Sequence, residues 1–248
     1  MNKISTFLLA SLLSCGVFAQ EKISLNFGWE FTQTEKNEWH EAEVPGSVQR
    51  DLIRHNILPD PYYGTNERKI QWVEDYNWDF RKSFTVTAEQ LKRDAALLTF
   101  EVLDTHADVY LNGSKIVHSQ NMFTAHEVPV KKLLREGENQ LYIRFYSPIQ
   151  HLMPARLSSG FEYPVGNDHR DEKLSVYSRK APYHFGWDWG IRIVQMGIWR
   201  PVWLSFYDAA RINDYFVEQQ SVSTEKAVIN NQIEIFSEEE GRATVSAS

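Results

Sequence analysis

The sequence predicts an all-β protein, a sandwich of short antiparallel strands, and three observations carry that expectation. Apolar and polar residues alternate over short runs from Glu21 onward, turn residues separate those runs, and few windows sustain a helical period. Short strands at such spacing favour a sandwich over an alternating β/α arrangement, which needs a helix between successive strands. With 248 residues there is room for one large β domain or two modest ones.

Met1-Asn-Lys3, the apolar stretch Ile4 to Phe18 and the exit Ala19-Gln20 have the charged start, apolar middle and small-residue end of a secretory signal. Val17 and Ala19 place small side chains where a signal peptidase reads them, so residues 1–19 are expected to leave as a signal peptide. The mature chain is then secreted across the inner membrane and expected in the periplasm. Lipid anchoring at Cys15, which follows Leu12-Leu-Ser14, is the alternative. The apolar stretch is too short for a spanning helix. Once Cys15 is removed no cysteine remains, which excludes disulfides, thiol catalysis and thiolate-bound zinc. The formal charge of −7, or −8 without Lys3, disfavours a nucleic-acid partner, whose phosphates need a basic face.

Among these strands one short helix is expected after Pro45-Gly46. Ser47 caps it, Val48, Leu52 and Ile53 share a face, and Asn56 ends it. Asp79 to Val86 reads as a strand, Ala88 to Arg93 as a helical turn or two, and Leu97 to Leu103 as another strand. Asp108 to Val117 is the clearest hairpin, because Asn112-Gly113 supplies the two positive-φ residues of a tight turn between alternating runs. Leu141 to Tyr146 and Val202 to Phe206 are further strands. Leu58 to Gly64 and Met153 to Tyr183 read as long irregular connections, the kind of segment that carries a site.

Beyond Ala209-Ala210 the aromatic-rich sequence turns polar. Val228 to Phe236 is one strand of a second β domain expected over 211–248, too short to close a core of its own. The acidic run Glu238 to Glu240 reads as a solvated turn. Eight tryptophans exceed what a minimal core needs, and flat rings suit the C–H faces of carbohydrates as well as they suit packing. The histidines and carboxylates lack metal-ligand spacing and no phosphate-cradling glycine loop is present, so neither a metal nor a cofactor is expected.

Four stretches together carry a family resemblance: Val44-Pro-Gly-Ser-Val48, Ile57-Leu-Pro-Asp-Pro-Tyr-Tyr-Gly64, Leu103-Asp-Thr-His-Ala-Asp-Val-Tyr-Leu-Asn-Gly113 and Arg179-Lys-Ala-Pro-Tyr-His-Phe-Gly-Trp-Asp-Trp-Gly190. From about Asn26 to Tyr207 the chain resembles the β-mannosidase branch of the family-2 glycoside hydrolases. The 103–113 hairpin is similar to the family as a whole, whereas Phe185-Gly-Trp-Asp-Trp-Gly190 is similar to β-mannosidases within it.

The resemblance implies a jelly-roll (galactose-binding-like) β-sandwich over 20–210, followed by the start of an immunoglobulin-like β-sandwich, and then a (β/α)₈ barrel that this sequence does not contain. It also implies a retaining, exo-acting β-mannosidase removing terminal non-reducing β-D-mannose. Two carboxyl groups about 5 to 5.5 Å apart perform that reaction, and the family carries them on the barrel. No catalytic residue is therefore expected here, and the chain alone is expected to be inactive. Asn37-Glu38 and Asn66-Glu67 resemble the family's acid/base dipeptide only by composition, not by context.

The resemblance assigns substrate binding to Trp187, Asp188 and Trp189, on a loop that closes the pocket around the terminal mannose. A carboxylate at Asp188 suits paired hydroxyls, and an indole suits a sugar C–H face. Asp188 as a turn residue between two packed rings is the alternative for that tripeptide. His184 is expected to pack among aromatics or donate to a hydroxyl, and Arg179, Lys180 and Arg192 to pair with acids at a domain interface. Ile191 stands where the family commonly has proline, which predicts a looser loop.

The partners implied are β-mannosides or mannose-containing oligosaccharides and the chain's own downstream barrel, with no membrane span. A stand-alone carbohydrate-binding module, and a family-2 hydrolase specific for β-galactosides, β-glucuronides or glucosaminides, are the competing readings.

Overall fold

In the computed structural model of the chain, residues 20–237, 240–242 and 244–245 are described. The expected signal peptide and Cys15 lie outside them, as does part of the expected start of a second domain. The strands are β1 (Glu21–Ser24), β2 (Trp29–Gln33), β3 (His40–Ala42), β4 (Trp78–Val86), β5 (Ala95–Phe100), β6 (Leu103–Asp104), β7 (Ala107–Leu111), β8 (Ser114–Ser119), β9 (His126–Pro129), β10 (Gly137–Phe145), β11 (Gly197–Ile198), β12 (Val202–Tyr207), β13 (Ala210–Val222) and β14 (Ala227–Ser237). Helices α1 (Val48–Arg54), α2 (Asn66–Ile70), α3 (Ala88–Lys92) and α4 (Pro148–Ser159) lie between them. Among the described residues no helix is long and apolar enough to cross a membrane.

Two antiparallel sheets form the sandwich, one of six strands in the order β3-β2-β4-β10-β7-β8 and one of four in the order β1-β12-β5-β9. The pairing of β1 with β12 seats the beginning and the end of the sandwich side by side. Alternation sets the inner face: Leu141, Ile143 and Phe145 of β10 join Phe31, Phe80 and Val109 of their sheet against Leu98, Phe100, Leu204 and Phe206 of the other, all buried in one cluster. Each such side chain contributes about 1.5–3 kcal/mol through removal from water. This is the predicted sandwich, and the strand expectations hold within a few residues at their ends.

Local chemistry explains the connections. Asn112 (φ 51°) and Gly113 (φ 84°) form the tight turn between β7 and β8, in the left-handed region that this turn type requires. Ser47 caps α1 by accepting from Arg50 N, and Thr87 with Gln90 forms a reciprocal capping box on α3.

One expectation fails. Met153 to Tyr183 is not irregular throughout, because α4 occupies its first residues. Ser147 caps α4 at its start with Pro148 in the first turn, and Gly160 ends it in the left-handed conformation. Pro154 inside the helix, and an apolar contact confined to Pro148, Ile149 and Leu152, left no helical period to read. Beyond the sandwich, β13 and β14 pair as a long two-stranded hairpin that exposes nearly all of its side chains.

Candidate substrate-binding concavity

Two buried ion pairs fasten the segment 179–199 onto the sandwich. Lys180 Nζ donates to both Asp104 carboxylate oxygens at 2.5 and 2.6 Å and to the Gln195 carbonyl at 2.8 Å. Arg192 Nη1 donates to Glu74 Oε1 and to Gln71 Oε1, each at 2.5 Å. Sequence reasoning expected both cations at a domain interface. They are instead buried within this domain, because each finds a carboxylate on an element packed directly beneath it. Arg179 is exposed, and its carbonyl accepts from Met122 N at 3.1 Å.

Backbone and amide bonds add to this anchorage. Arg192 N donates to Glu67 Oε1 at 2.7 Å and Gln49 Nε2 to the Val194 carbonyl at 2.7 Å, while β11 pairs with β6. Glu67 of the Asn66-Glu67 dipeptide thus holds backbone. Glu38 of the other dipeptide is exposed in the irregular stretch before β3, with a long 3.8 Å contact to His40. Below the segment a second small core gathers Ile149, Leu152, Leu174, Phe185 and Val194.

Gly186 opens the tip of the loop at φ 115°, where a Cβ would stand 2.6 Å from His169 Nδ1. Only glycine fits there. Trp187 and Gly190 then exchange both backbone hydrogen bonds at 3.3 Å, so Asp188 and Trp189 form a closed two-residue turn. Ile191 follows this turn, whose pair of backbone hydrogen bonds forms without a proline there.

The turn rims an open concavity of about 620 Å³. Tyr62, Tyr183, Trp187, Trp189 and Trp199 supply its aromatic lining, and Ile191 and Ile193 its aliphatic part. The Trp187 and Trp189 rings meet edge to face, 5.8 Å apart at 79°. Trp189 is 85% exposed, an unusual state for so large an apolar side chain. His184 and Gln195 supply polar groups to the same lining.

Of the three residues singled out, Trp187 and Trp189 line the concavity. Asp188 is exposed at the tip between them, outside the lining, and its carboxylate makes no hydrogen bond or ion pair among the described residues. His184 is both packed and part of the lining: it is buried, its ring lies 6.3 Å from that of Trp199, and burial together with the nearby Lys180 charge lowers its pKa to about 4. Burial likewise lowers Lys180 and raises Glu74, each against the pull of its partner.

Sequence reasoning missed Gln195 and Trp199 as lining residues, and reached Tyr183 only as the end of a loop marked for a site. Tyr62 lay in one of the two loops marked for a site; nothing local marked Trp199.

The β-sandwich thus presents an aromatic concavity on an anchored loop. A family model described as glycosyl hydrolase 2 galactose-binding domain-like matches residues 29–200, and the chain belongs to that family. It is 37% identical over 228 residues to a β-mannosidase B of Aspergillus terreus, covering 90% of this chain and 26% of the relative. To the β-mannosidase B of Thermothelomyces thermophilus it is 36% identical over 200 residues, covering 79% and 23%.

Among solved structures, the β-D-mannosidase of Dictyoglomus thermophilum superposes with a TM-score of 0.83 at 41% identity, over 88% of this chain and 26% of that one. An exo-chitosanase of Amycolatopsis orientalis, at 17% identity and a TM-score of 0.66 over 89% of this chain and 24% of that one, shares the fold. The chain thus spans about a quarter of the length of the relatives it matches.

Proposed function

We propose that this chain is the amino-terminal, pocket-forming portion of a retaining exo-acting β-mannosidase that hydrolyses terminal non-reducing β-D-mannose residues. The observation that carries the reading is the concavity rimmed by Trp187 and Trp189, two indoles fixed on a closed turn above buried ion pairs. The free carboxylate of Asp188 supports the same reading: it is poised to accept from two neighbouring hydroxyls of a sugar held against the rings. The β-mannosidase relatives support the specificity.

In this reading the catalytic carboxyl pair is supplied by a downstream barrel seated over the concavity. The exposed β13–β14 hairpin is the beginning of an immunoglobulin-like sandwich over 211–248, since its apolar side chains await a second sheet. Residues 1–19 are a signal peptide that delivers the protein to the periplasm, with lipid attachment at Cys15 as the other outcome.

Hydrolysis of aryl β-glycosides by this chain, and by the chain extended through its reading frame, tests the assignment. The expected result is no turnover by the chain alone and cleavage of the β-mannoside by the extended form. Preference for a galactoside, glucuronide or glucosaminide would move the specificity, and turnover by the chain alone would overturn the assignment of catalysis to a downstream domain. A stand-alone carbohydrate-binding module is the second reading, favoured by a concavity whose lining comes entirely from residues 62–199. Mass analysis of the amino terminus of the secreted protein decides between cleavage after Ala19 and lipidation at Cys15.

A further inference from the structure

We propose that His184 and Gln195 form a preset acceptor–donor pair in the lining of the aromatic concavity, oriented by the buried Lys180–Asp104 ion pair, that binds hydroxyl groups of a pyranoside. The proposal rests on the reading of the concavity as a glycoside site and adds to it residues that would recognise hydroxyls.

His184 carries the first half. It is buried yet lines the concavity, and its Nδ1 is enclosed without a hydrogen-bond partner, 3.7 Å from Asp104 Oδ2. The nearest acceptor to Nδ1 in these interactions is thus a carboxylate, which favours the tautomer with its proton on Nδ1. Nε2 then presents a lone pair to the concavity. Lys180 keeps this arrangement neutral, because a second positive charge beside a fully buried ammonium is unfavourable. A neutral imidazole whose Nδ1 proton faces a carboxylate acts only as an acceptor at its outer nitrogen.

Gln195 carries the second half. Its carboxamide Oε1 accepts from Trp199 Nε1 at 2.7 Å, which fixes the rotamer about the amide and leaves the NH₂ group as the free end. Its backbone carbonyl accepts from Lys180 Nζ at 2.8 Å, and the same ammonium holds Asp104. One buried cation therefore positions both residues, in addition to the pairing that anchors the loop. A sugar hydroxyl both donates and accepts, so an imidazole lone pair and an amide N–H lining one concavity match the two capacities of such a group, or those of two adjacent hydroxyls. Aromatic walls provide affinity for the C–H faces without distinguishing hydroxyl orientation; an acceptor and a donor in fixed places provide the distinction.

The test uses the 248-residue chain itself, labelled with ¹⁵N and titrated with methyl β-D-mannopyranoside into the hundred-millimolar range. The expected result is a neutral His184 in the Nδ1–H tautomer at pH 6–7, with the His184 Nε2 and Gln195 side-chain amide signals shifting along one binding curve with the indole signals of Trp187 and Trp189. His184→Phe and Gln195→Met should each weaken that binding about threefold to tenfold, the loss of one net hydrogen bond, while leaving the indoles responsive. Indole shifts without any response at His184 or Gln195, or the Nε2–H tautomer in the free chain, would overturn the pair while sparing the glycoside reading. No shift at the indoles either would overturn both.

Discussion

The concavity and the β13–β14 hairpin both expose large apolar side chains, yet they are built in opposite ways. Trp187, Trp189 and Trp199 stand on a segment held by Lys180–Asp104, Arg192–Glu74 and a small core of its own. Ile212, Tyr215, Phe216, Ile229, Ile233 and Phe236 stand on two strands joined chiefly to each other, tied at their base by Arg211 to Glu127. In the proposed reading, exposed rings on such a foundation are a surface for a ligand, held in place by the ion pairs and the small core. In the same reading, exposed apolar side chains on such a hairpin are one face of a sandwich, since two strands alone bury little.

The largest effect that sharpens this contrast is expected at Asp104. Asp104→Ala strands the Lys180 ammonium in the interior and should cost about 3–5 kcal/mol in denaturant unfolding. A loss under 1 kcal/mol would mean that the foundation of the loop lies elsewhere. Leu174→Ala, in the small core, should cost about 2–5 kcal/mol and loosen the loop, visible as faster amide exchange at Trp187 and Gly190.

The pH dependence is next in size. Burial raises the carboxyl of Asp51, in α1, to about 6, so the folded state binds a proton that the unfolded chain releases near 4. Stability from this group falls as pH rises through roughly 4 to 6, by up to about 1.4 kcal/mol per pH unit. His184, lowered to about 4, and His106, lowered to about 3, act in the opposite sense. The unfolded chain takes up their protons first, so stability falls as pH drops below about 6.5. Asp51→Asn should remove the first contribution and leave unfolding free energy rising more steeply with pH between 4 and 6. An unchanged profile would show that the fold does not shift the Asp51 carboxyl from its unfolded value.

The smallest change in stability should accompany the largest change in binding. Trp189→Ala, at a side chain 85% exposed, should alter stability by no more than about 0.5 kcal/mol while removing the response to the mannoside. Ile233→Ser in the hairpin should leave both untouched. If it instead abolished sugar binding, the two exposed surfaces would be one functional unit and the distinction between them would fail.

Much of the sandwich was legible because its causes are local. Alternation places Leu141, Ile143 and Phe145 on one face, Asn112-Gly113 permits the tight turn, and Ser47 caps α1 within three residues of its bond partner. The helix α4 was hidden because an internal proline and a narrow apolar contact erase the period by which helices are read. The tripeptide Trp187-Asp188-Trp189 was legible through resemblance. Its separation into two lining rings and one exposed carboxylate was not, since that depends on how the turn closes.

By itself the sequence determined the class of fold, the position of most strands and the aromatic loop on which a sugar reading rests, because sterics, capping and alternation act over a few residues. Tertiary structure decided that Lys180 meets Asp104, 76 residues away, and that Arg192 meets Glu74, 118 residues away. It also decided that Tyr62 and Trp199 share one concavity with Trp187 and Trp189. No local pattern encodes such pairings. A buried charge accepts whichever opposite charge the packed sheets bring within reach, and only the assembled sandwich sets which one that is.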